Sequence, residues 1–234
     1  MDRPRRPGLT PTPSPDGAGT PGSRRERRTL QQEGAARPAS PQTVLLACTG
    51  NICRSAFGEK ALQLRIDALA PGRVDVGGVG TQVNMRLRVP PPLVAAAEEH
   101  GVTGLASHVP SQMTPSILGA ADLILAATGD HMRRLLHDVP RAITRTFTLR
   151  ELAALIREMD ARTGGAWIRP GRGVQGFAQE ASRHRALARA PGASLDIPDP
   201  YHGPDEGYAR MVELMLPELD VVADALARAV APAS

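Results

Sequence analysis

Cys48 and Arg54 stand on either side of five residues, Thr49-Gly50-Asn51-Ile52-Cys53, and Ser55 follows directly. A thiol and a guanidinium so placed can close a loop around a phosphoryl group, with sulfur as the nucleophile on phosphorus. The flanking segments supply the geometry. Thr43-Val44-Leu45-Leu46-Ala47 is an apolar run that reads as a short buried strand, and Ala56 to Ile66 reads as a helix. The first N–H groups of a helix lack intrahelical partners, and the helix dipole adds partial positive charge at the same end. Both features favour phosphate there, and a cysteine at a helix N-terminus beside a cation ionises more readily than a free one. Arg54 offers a planar fork for two phosphoryl oxygens, tightening as charge spreads in the transition state. Gly50 permits backbone angles that a Cβ would penalise, Asn51 can brace the loop, and Ser55 can hydrogen-bond the departing sulfur. A lone cysteine is more often a packed core residue. The glycine, the arginine and the strand–helix setting together outweigh that reading.

A phosphocysteine route also needs an acid. Asp199, within Asp196-Ile197-Pro198-Asp199-Pro200-Tyr201-His202-Gly203, precedes a proline and so sits in an extended turn from which its carboxyl can project over a pocket. Alone it is an ordinary Asp-Pro turn; beside the cysteine loop, the acid role is the better reading. The run Cys48 to Ser55 resembles the signature loop of the low-molecular-weight protein tyrosine phosphatases. Asp199-Pro200-Tyr201 resembles that family's late acid loop, and the likeness spans roughly 43–155 and 196–230. It implies an α/β fold, a small four-stranded parallel doubly wound sheet flanked by helices, with the phosphate-binding loop after the first strand. It implies Cys48, Arg54 and Asp199 as catalytic, and Thr49, Gly50, Asn51, Ile52, Cys53, Ser55 and Tyr201 as substrate-binding. The substrate so implied is a phosphotyrosine protein or a small aryl phosphate. The resemblance further suggests a reversible Cys48–Cys53 disulfide that protects the nucleophile, with a buried packing role for Cys53 an equal alternative.

No metal or cofactor is called for, because arginine and peptide dipoles supply the positive potential. The six histidines (His100, His108, His131, His137, His184 and His202) are scattered. Surface or capping roles are expected, and only His202, beside the acid loop, is placed near substrate. Three positions depart from the family pattern. Ala56 stands where a proline is usual, and Gly78 where a serine supports the loop asparagine, so Asn51 is expected to be less well held. Asn84 stands where relatives often carry an aromatic, leaving Tyr201 as the ring that stacks on a phenyl group. Ile52 points back to phosphotyrosine, since a branched aliphatic there goes with that substrate and a threonine with phosphoarginine. Two other readings stand beside this one: an arsenate reductase of the same fold using an external thiol, and a phosphate-binding module with weak catalysis. A nucleotide-binding P-loop fits poorly, since no Gly-Lys-Ser/Thr follows the strand.

The remaining segments must build a sheet around this loop. Val74-Asp75-Val76 leads into Gly77-Gly78-Val79-Gly80-Thr81, Asp122 to Ala127 suits a central parallel strand, and Ala142 to Phe147 reads as a weaker fourth. Helices are expected at Leu93 to His100, 130–137, 149–160 and 206–230, the last with Met211, Leu214, Met215, Leu219, Val222 and Leu226 at helical spacing and Pro217 inside it. Strands alternating with helices give a parallel sheet covered on both faces, with ligands at the carboxyl ends of strands. Residues 1–42, rich in Pro, Gly, Ser, Thr and Arg, read as a disordered tail; 43–232 form the phosphatase-like domain, with an insertion at 161–195 expected to be a surface excursion.

The tail holds eight Arg against four acidic residues, a net of +4 that equals the total for all 234 residues. The remaining 20 basic and 20 acidic residues cancel, so the charge predicts no specific nucleic-acid partner. Lys60 is the single lysine, a bias typical of GC-rich bacterial coding such as that of actinobacteria. Two cysteines in one loop make no disulfide framework and fit a reducing cytosol, hence a cytoplasmic enzyme. No window approaches the ~18 apolar residues of a membrane span. Oligomeric state is not legible.

Overall fold

The computed structural model describes residues 41–188 and 194–233. The expected tail, 1–42, lies outside the described residues except for Pro41 and Gln42. Gln42 already belongs to the first strand, and its side chain accepts from the Val174 N–H.

Four parallel strands form one sheet in the order β2-β1-β3-β4: β1 (Gln42–Cys48), β2 (Val74–Gly80), β3 (Leu123–Ala126) and β4 (Thr146–Thr148). β1 pairs with β2 from Gln42↔Val74 to Cys48↔Gly80, and with β3 from Val44↔Leu123 to Ala47↔Ala126. Cys48 is therefore the last residue of a central strand, at its carboxyl end. Seven α-helices are described: α1 (Arg54–Leu69), α2 (Pro91–Glu98), α3 (Pro115–Ala120), α4 (Gly129–Asp138), α5 (Leu149–Thr163), α6 (Gly173–Arg183) and α7 (Glu206–Val230). Alternation along β1 sends its side chains to opposite faces. Val44 and Leu46 join a large core with Phe57, Leu62, Phe147, Met211 and Leu219, while Leu45 and Ala47 join a second with Leu118, Ile124 and Leu135. The sheet is thus covered on both sides, as the continuous apolar run of β1 required. No helix among the described residues is long and apolar enough to cross a membrane.

Three local outcomes differ from expectation. Ala142 to Phe147 is not a strand throughout: Pro140–Arg145 forms a 3₁₀ turn, and only Thr146–Thr148 pair with β3. The Thr146 hydroxyl donates to the Ala142 carbonyl at 2.8 Å and holds that turn closed. Helix α3 was not legible, being six residues long with one buried side chain, Leu118. Finally, the stretch 161–195 is more than a surface excursion. After the left-handed cap at Gly164 (φ 60°), Trp167, Ile168, Val174, Phe177 and Ala181 all pack into the main core, with the Trp167 and Phe177 rings 5.4 Å apart.

Candidate active site

The loop between β1 and α1 curls tightly, and the residue that bears the conformational cost is not the one expected. Gly50 is absent from the left-handed region; Asn51 occupies it, with φ 53°, a conformation that asparagine tolerates better than most residues. Asn51 is also fully buried and firmly held, contrary to the expectation from Gly78. Its amide nitrogen donates to Ser55 Oγ at 2.9 Å, its amide oxygen accepts from the Ser111 N–H at 2.8 Å, and His108 Nε2 lies 2.9 Å from its backbone carbonyl oxygen. The space left at 78 is occupied by neighbouring side chains: a Cβ there would stand 2.6 Å from both Asn51 Nδ2 and Glu59 Oε2, and both would have to shift. His108, 4.0 Å from Glu59 through Nδ1, thus replaces the missing serine as a support.

Cys48 lies buried at the base of the loop with its Sγ 2.9 Å from Ser55 Oγ. Among the described residues, the backbone N–H groups of Gly50 to Cys53 donate to no protein acceptor, and the buried Nε of Arg54 is also without a partner. Arg54 reaches out of the loop through its other nitrogens, Nη1 donating to the Ile197 carbonyl at 3.3 Å and Nη2 to Asp199 Oδ2 at 2.6 Å. Asp199 Oδ1 accepts from the Tyr201 N–H at 3.2 Å. The Asp196–Gly203 loop is itself anchored at the carboxyl end of β3, where the Ile197 N–H donates to the Ala127 carbonyl and Asp196 accepts from the Gly129 N–H at the start of α4. Residues 145 positions apart in sequence are thereby brought into one ion pair.

A cavity of about 130 Å³ opens above the sulfur, lined by Cys48, Thr49, Gly50, Ile52, Cys53, Arg54, Asp199 and Tyr201. Asn51 and Ser55 do not line it; they stand behind the loop as supports. Two further wall residues, Gln82 and Leu87, come from the segment after β2 and carried no signal in the sequence. His131 was also missed, having been assigned a surface or capping role. It is buried, with Nε2 2.9 Å from Thr49 Oγ1 and Nδ1 2.7 Å from Thr128 Oγ1. Burial first, and the Arg54 guanidinium second, push its pKa down to about 4 against the opposing pull of Asp199 and Asp196. At neutral pH the uncharged ring has one donor and one acceptor, so it ties the first loop residue to the N-cap of α4. His202 does lie beside the acid loop, its ring 4.0 Å from that of Tyr201, and with φ 66° it turns the chain back. Both cysteines are free thiols, and burial, followed by Cys48 and Asp199, pushes Cys53 up to about 12 despite Arg54.

The arrangement can bind a tetrahedral oxyanion on unpaired peptide donors and a guanidinium, over a thiol, with a carboxyl facing the open side. One position controls how closely the loop can sit on the sheet. A Cβ at Gly80 would stand 2.6 Å from the Thr49 carbonyl oxygen and 3.0 Å from the Asn51 nitrogen, both backbone atoms that cannot rotate away. Gly80→Ala is expected to lower kcat/KM for an aryl phosphate roughly 10- to 100-fold through loop displacement, and to cost about 1–3 kcal/mol of stability by overpacking. Steady-state kinetics and a thermal melt of the same preparation check both; unchanged kinetics would show that the close approach is not required.

The family profile described as low molecular weight phosphotyrosine protein phosphatase matches residues 43–161. The match ends before the acid loop, so the placement of Asp199 rests on geometry. A low molecular weight protein-tyrosine-phosphatase of Streptomyces coelicolor is 27% identical over 177 residues, 74% of this chain and 85% of the relative. A protein-arginine-phosphatase of Bacillus subtilis is 32% identical over 108 residues, 46% of this chain and 70% of its own. In fold, the chain is similar to the crystal structure of the low molecular weight protein tyrosine phosphatase from T. tengcongensis, with a TM-score of 0.57, 21% identity, and coverage of 78% of this chain and 98% of that one. With a cysteine loop at the end of a central parallel strand and a family profile spanning half its length, the chain belongs to the low molecular weight phosphotyrosine protein phosphatases, which are cysteine-based phosphatases.

Proposed function

We propose that the protein hydrolyses phosphotyrosine in polypeptides through a phosphocysteine, with Cys48 as nucleophile, Arg54 and the loop amides as the oxyanion site, and Asp199 as acid and base. The observation that carries this is the set of unpaired donors, Gly50 to Cys53 N–H and Arg54 Nε, around a buried thiol. In the first step Cys48 sulfur bonds to phosphorus, the phosphorus–oxygen ester bond breaks, and the departing oxygen takes a proton from Asp199. In the second step a water oxygen bonds to phosphorus, Asp199 takes its proton, and the phosphorus–sulfur bond breaks to release inorganic phosphate. Ser55 Oγ, 2.9 Å from Sγ, donates to the sulfur as it regains charge. The Arg54–Asp199 pair gives the cycle its switch: an incoming phosphoryl group competes for the guanidinium and leaves the carboxyl facing the leaving oxygen. Free thiols on both cysteines suit a reducing compartment such as the cytosol.

The walls of the cavity favour a phenyl ester over a phosphoguanidine. Ile52, Leu87 and Tyr201 present apolar faces to the bound group, and Leu87 supplies the wall that Asn84 does not. A phosphorylated guanidinium carries several N–H donors; Gln82 and Asp199 can accept some of them, and each one held against Ile52 or Leu87 goes unpaired at a cost of about 1–3 kcal/mol. Phosphotyrosine peptides are therefore expected to be cleaved with at least about tenfold higher kcat/KM than phosphoarginine peptides. Ile52→Thr, which introduces a hydroxyl, narrows the gap. Initial-rate measurements with matched peptides decide; a wild-type preference for phosphoarginine would reassign the substrate. No feature of the site favours arsenate reduction or simple phosphate binding.

A further inference from the structure

Behind the acid loop lies a second cavity, of about 370 Å³, and Asp199 is in the wall of both. The loop from Pro198 to Pro204 forms one side, and the first three turns of α7 form the other, through Glu206, Gly207, Arg210, Met211 and Leu214. Three prolines in this loop, Pro198, Pro200 and Pro204, hold the chain extended and carry no N–H. The wall they make is apolar, unable to collapse inward, and free of donors that would demand water. The turn closes through the Gly203 N–H on the Pro200 carbonyl at 3.0 Å, and Pro200 approaches the helix at Gly207, where a Cβ would stand 3.7 Å from the Pro200 Cβ. Met211 at the floor has a flexible thioether side chain that adapts to irregular apolar groups.

Resting on the phosphotyrosine reading above, we infer that this groove seats an apolar side chain of the substrate polypeptide, near in sequence to the phosphotyrosine. Continuity with the mouth of the active site argues for this occupant. A polypeptide whose phosphotyrosine reaches Cys48 must lay its neighbouring residues over the rim, and the Asp199-Pro200-Tyr201 stretch is part of that rim. An extended chain advances about 3.3 Å per residue and returns a side chain to the same face every second one. A side chain two positions from the phosphotyrosine thus faces the same way and can reach past Asp199, which lines both cavities, into the groove. Arg210 at its edge adds a donor for the carbonyls or an acidic side chain of the same segment.

The test uses the full chain and phosphotyrosine peptides that differ only at the second and third residues on either side, carrying leucine or alanine. The leucine peptide is expected to show roughly tenfold higher kcat/KM at one of these positions, the gain from covering one large aliphatic side chain. In Leu214→Arg the ratio between the two peptides falls toward one, whatever the variant does to absolute rates, because the ratio is an internal control. Arg210→Ala, at the rim, keeps the leucine preference. Equal cleavage of leucine and alanine peptides by the wild type at every flanking position overturns the inference while leaving the phosphatase reading intact. Absence of turnover on all peptides and on p-nitrophenyl phosphate alike would instead remove the reading on which it rests.

Discussion

Replacing Cys48 with serine is expected to reduce hydrolysis of p-nitrophenyl phosphate by at least about 10⁴-fold, while inorganic phosphate or vanadate still binds. The two halves of that expectation come from different atoms. Turnover depends on the sulfur, which as thiolate attacks phosphorus and leaves it again readily; a serine hydroxyl in the same place has no general base beside it and, once phosphorylated, is a poor leaving group. Its nearest partner, Ser55 Oγ at 2.9 Å, is another hydroxyl. Oxyanion binding depends on the Gly50–Cys53 amides and Arg54, which the substitution leaves in position. Stopped assays and isothermal titration with vanadate separate the two. A variant retaining a hundredth of wild-type turnover rules out the covalent route. The neighbouring thiol provides a control: with its pKa pushed up to about 12, chiefly by burial, Cys53 stays protonated at neutral pH. Iodoacetate is therefore expected to alkylate Cys48 alone, as read by mass spectrometry, and bound phosphate to slow it.

What could be read ahead of the structure divides by how local the controlling physics is. The place of the Cys48–Ser55 loop in the fold was legible because it is fixed by one strand end, one turn and one helix start, all contiguous from Thr43 to Ile66. The sheet was legible for the same reason: near-continuous apolar runs such as Leu123–Ala126 exist where a strand is buried on both faces. The histidine supports were not legible, because each comes from a distant element. His108 is 57 residues from Asn51, His131 is 82 from Thr49, and nothing local distinguishes either from a surface histidine. Gly78 was misjudged by treating the position as a lost hydrogen bond, when the packing shows a gained space filled by Asn51 and Glu59. The stretch 161–195 misled through composition: Gly- and Arg-rich sequence suggested an excursion, yet its few large apolar residues, Trp167, Ile168, Val174 and Phe177, are the ones that reach the core. Polar residues set the average character of such a segment, while burial is decided by the apolar few.

Asp199→Asn carries the second large expected effect, and its size depends on the substrate. Asparagine keeps the shape of the side chain but has a single acceptor oxygen, so it retains either the contact from Arg54 Nη2 or the one from the Tyr201 N–H that place the carboxyl, and not both. It has no proton to give. Phenol, like tyrosine, ionises near pH ~10 and leaves poorly as an anion; without an acid, hydrolysis of phenyl phosphate or a phosphotyrosine peptide is expected to slow by about 10²–10⁴-fold. p-Nitrophenol is a far better leaving group and needs the proton less, so its ester is expected to lose markedly less, with the second step then limiting. A plot of log kcat/KM against leaving-group acidity should accordingly be shallow for the wild type and steep for Asp199→Asn. The steepness distinguishes an acid from a scaffold: a residue that only holds Arg54 in place would depress all esters in parallel. Parallel loss across the series would reassign proton donation away from Asp199, and would leave the 2.6 Å pair with Arg54 as a purely positional contact.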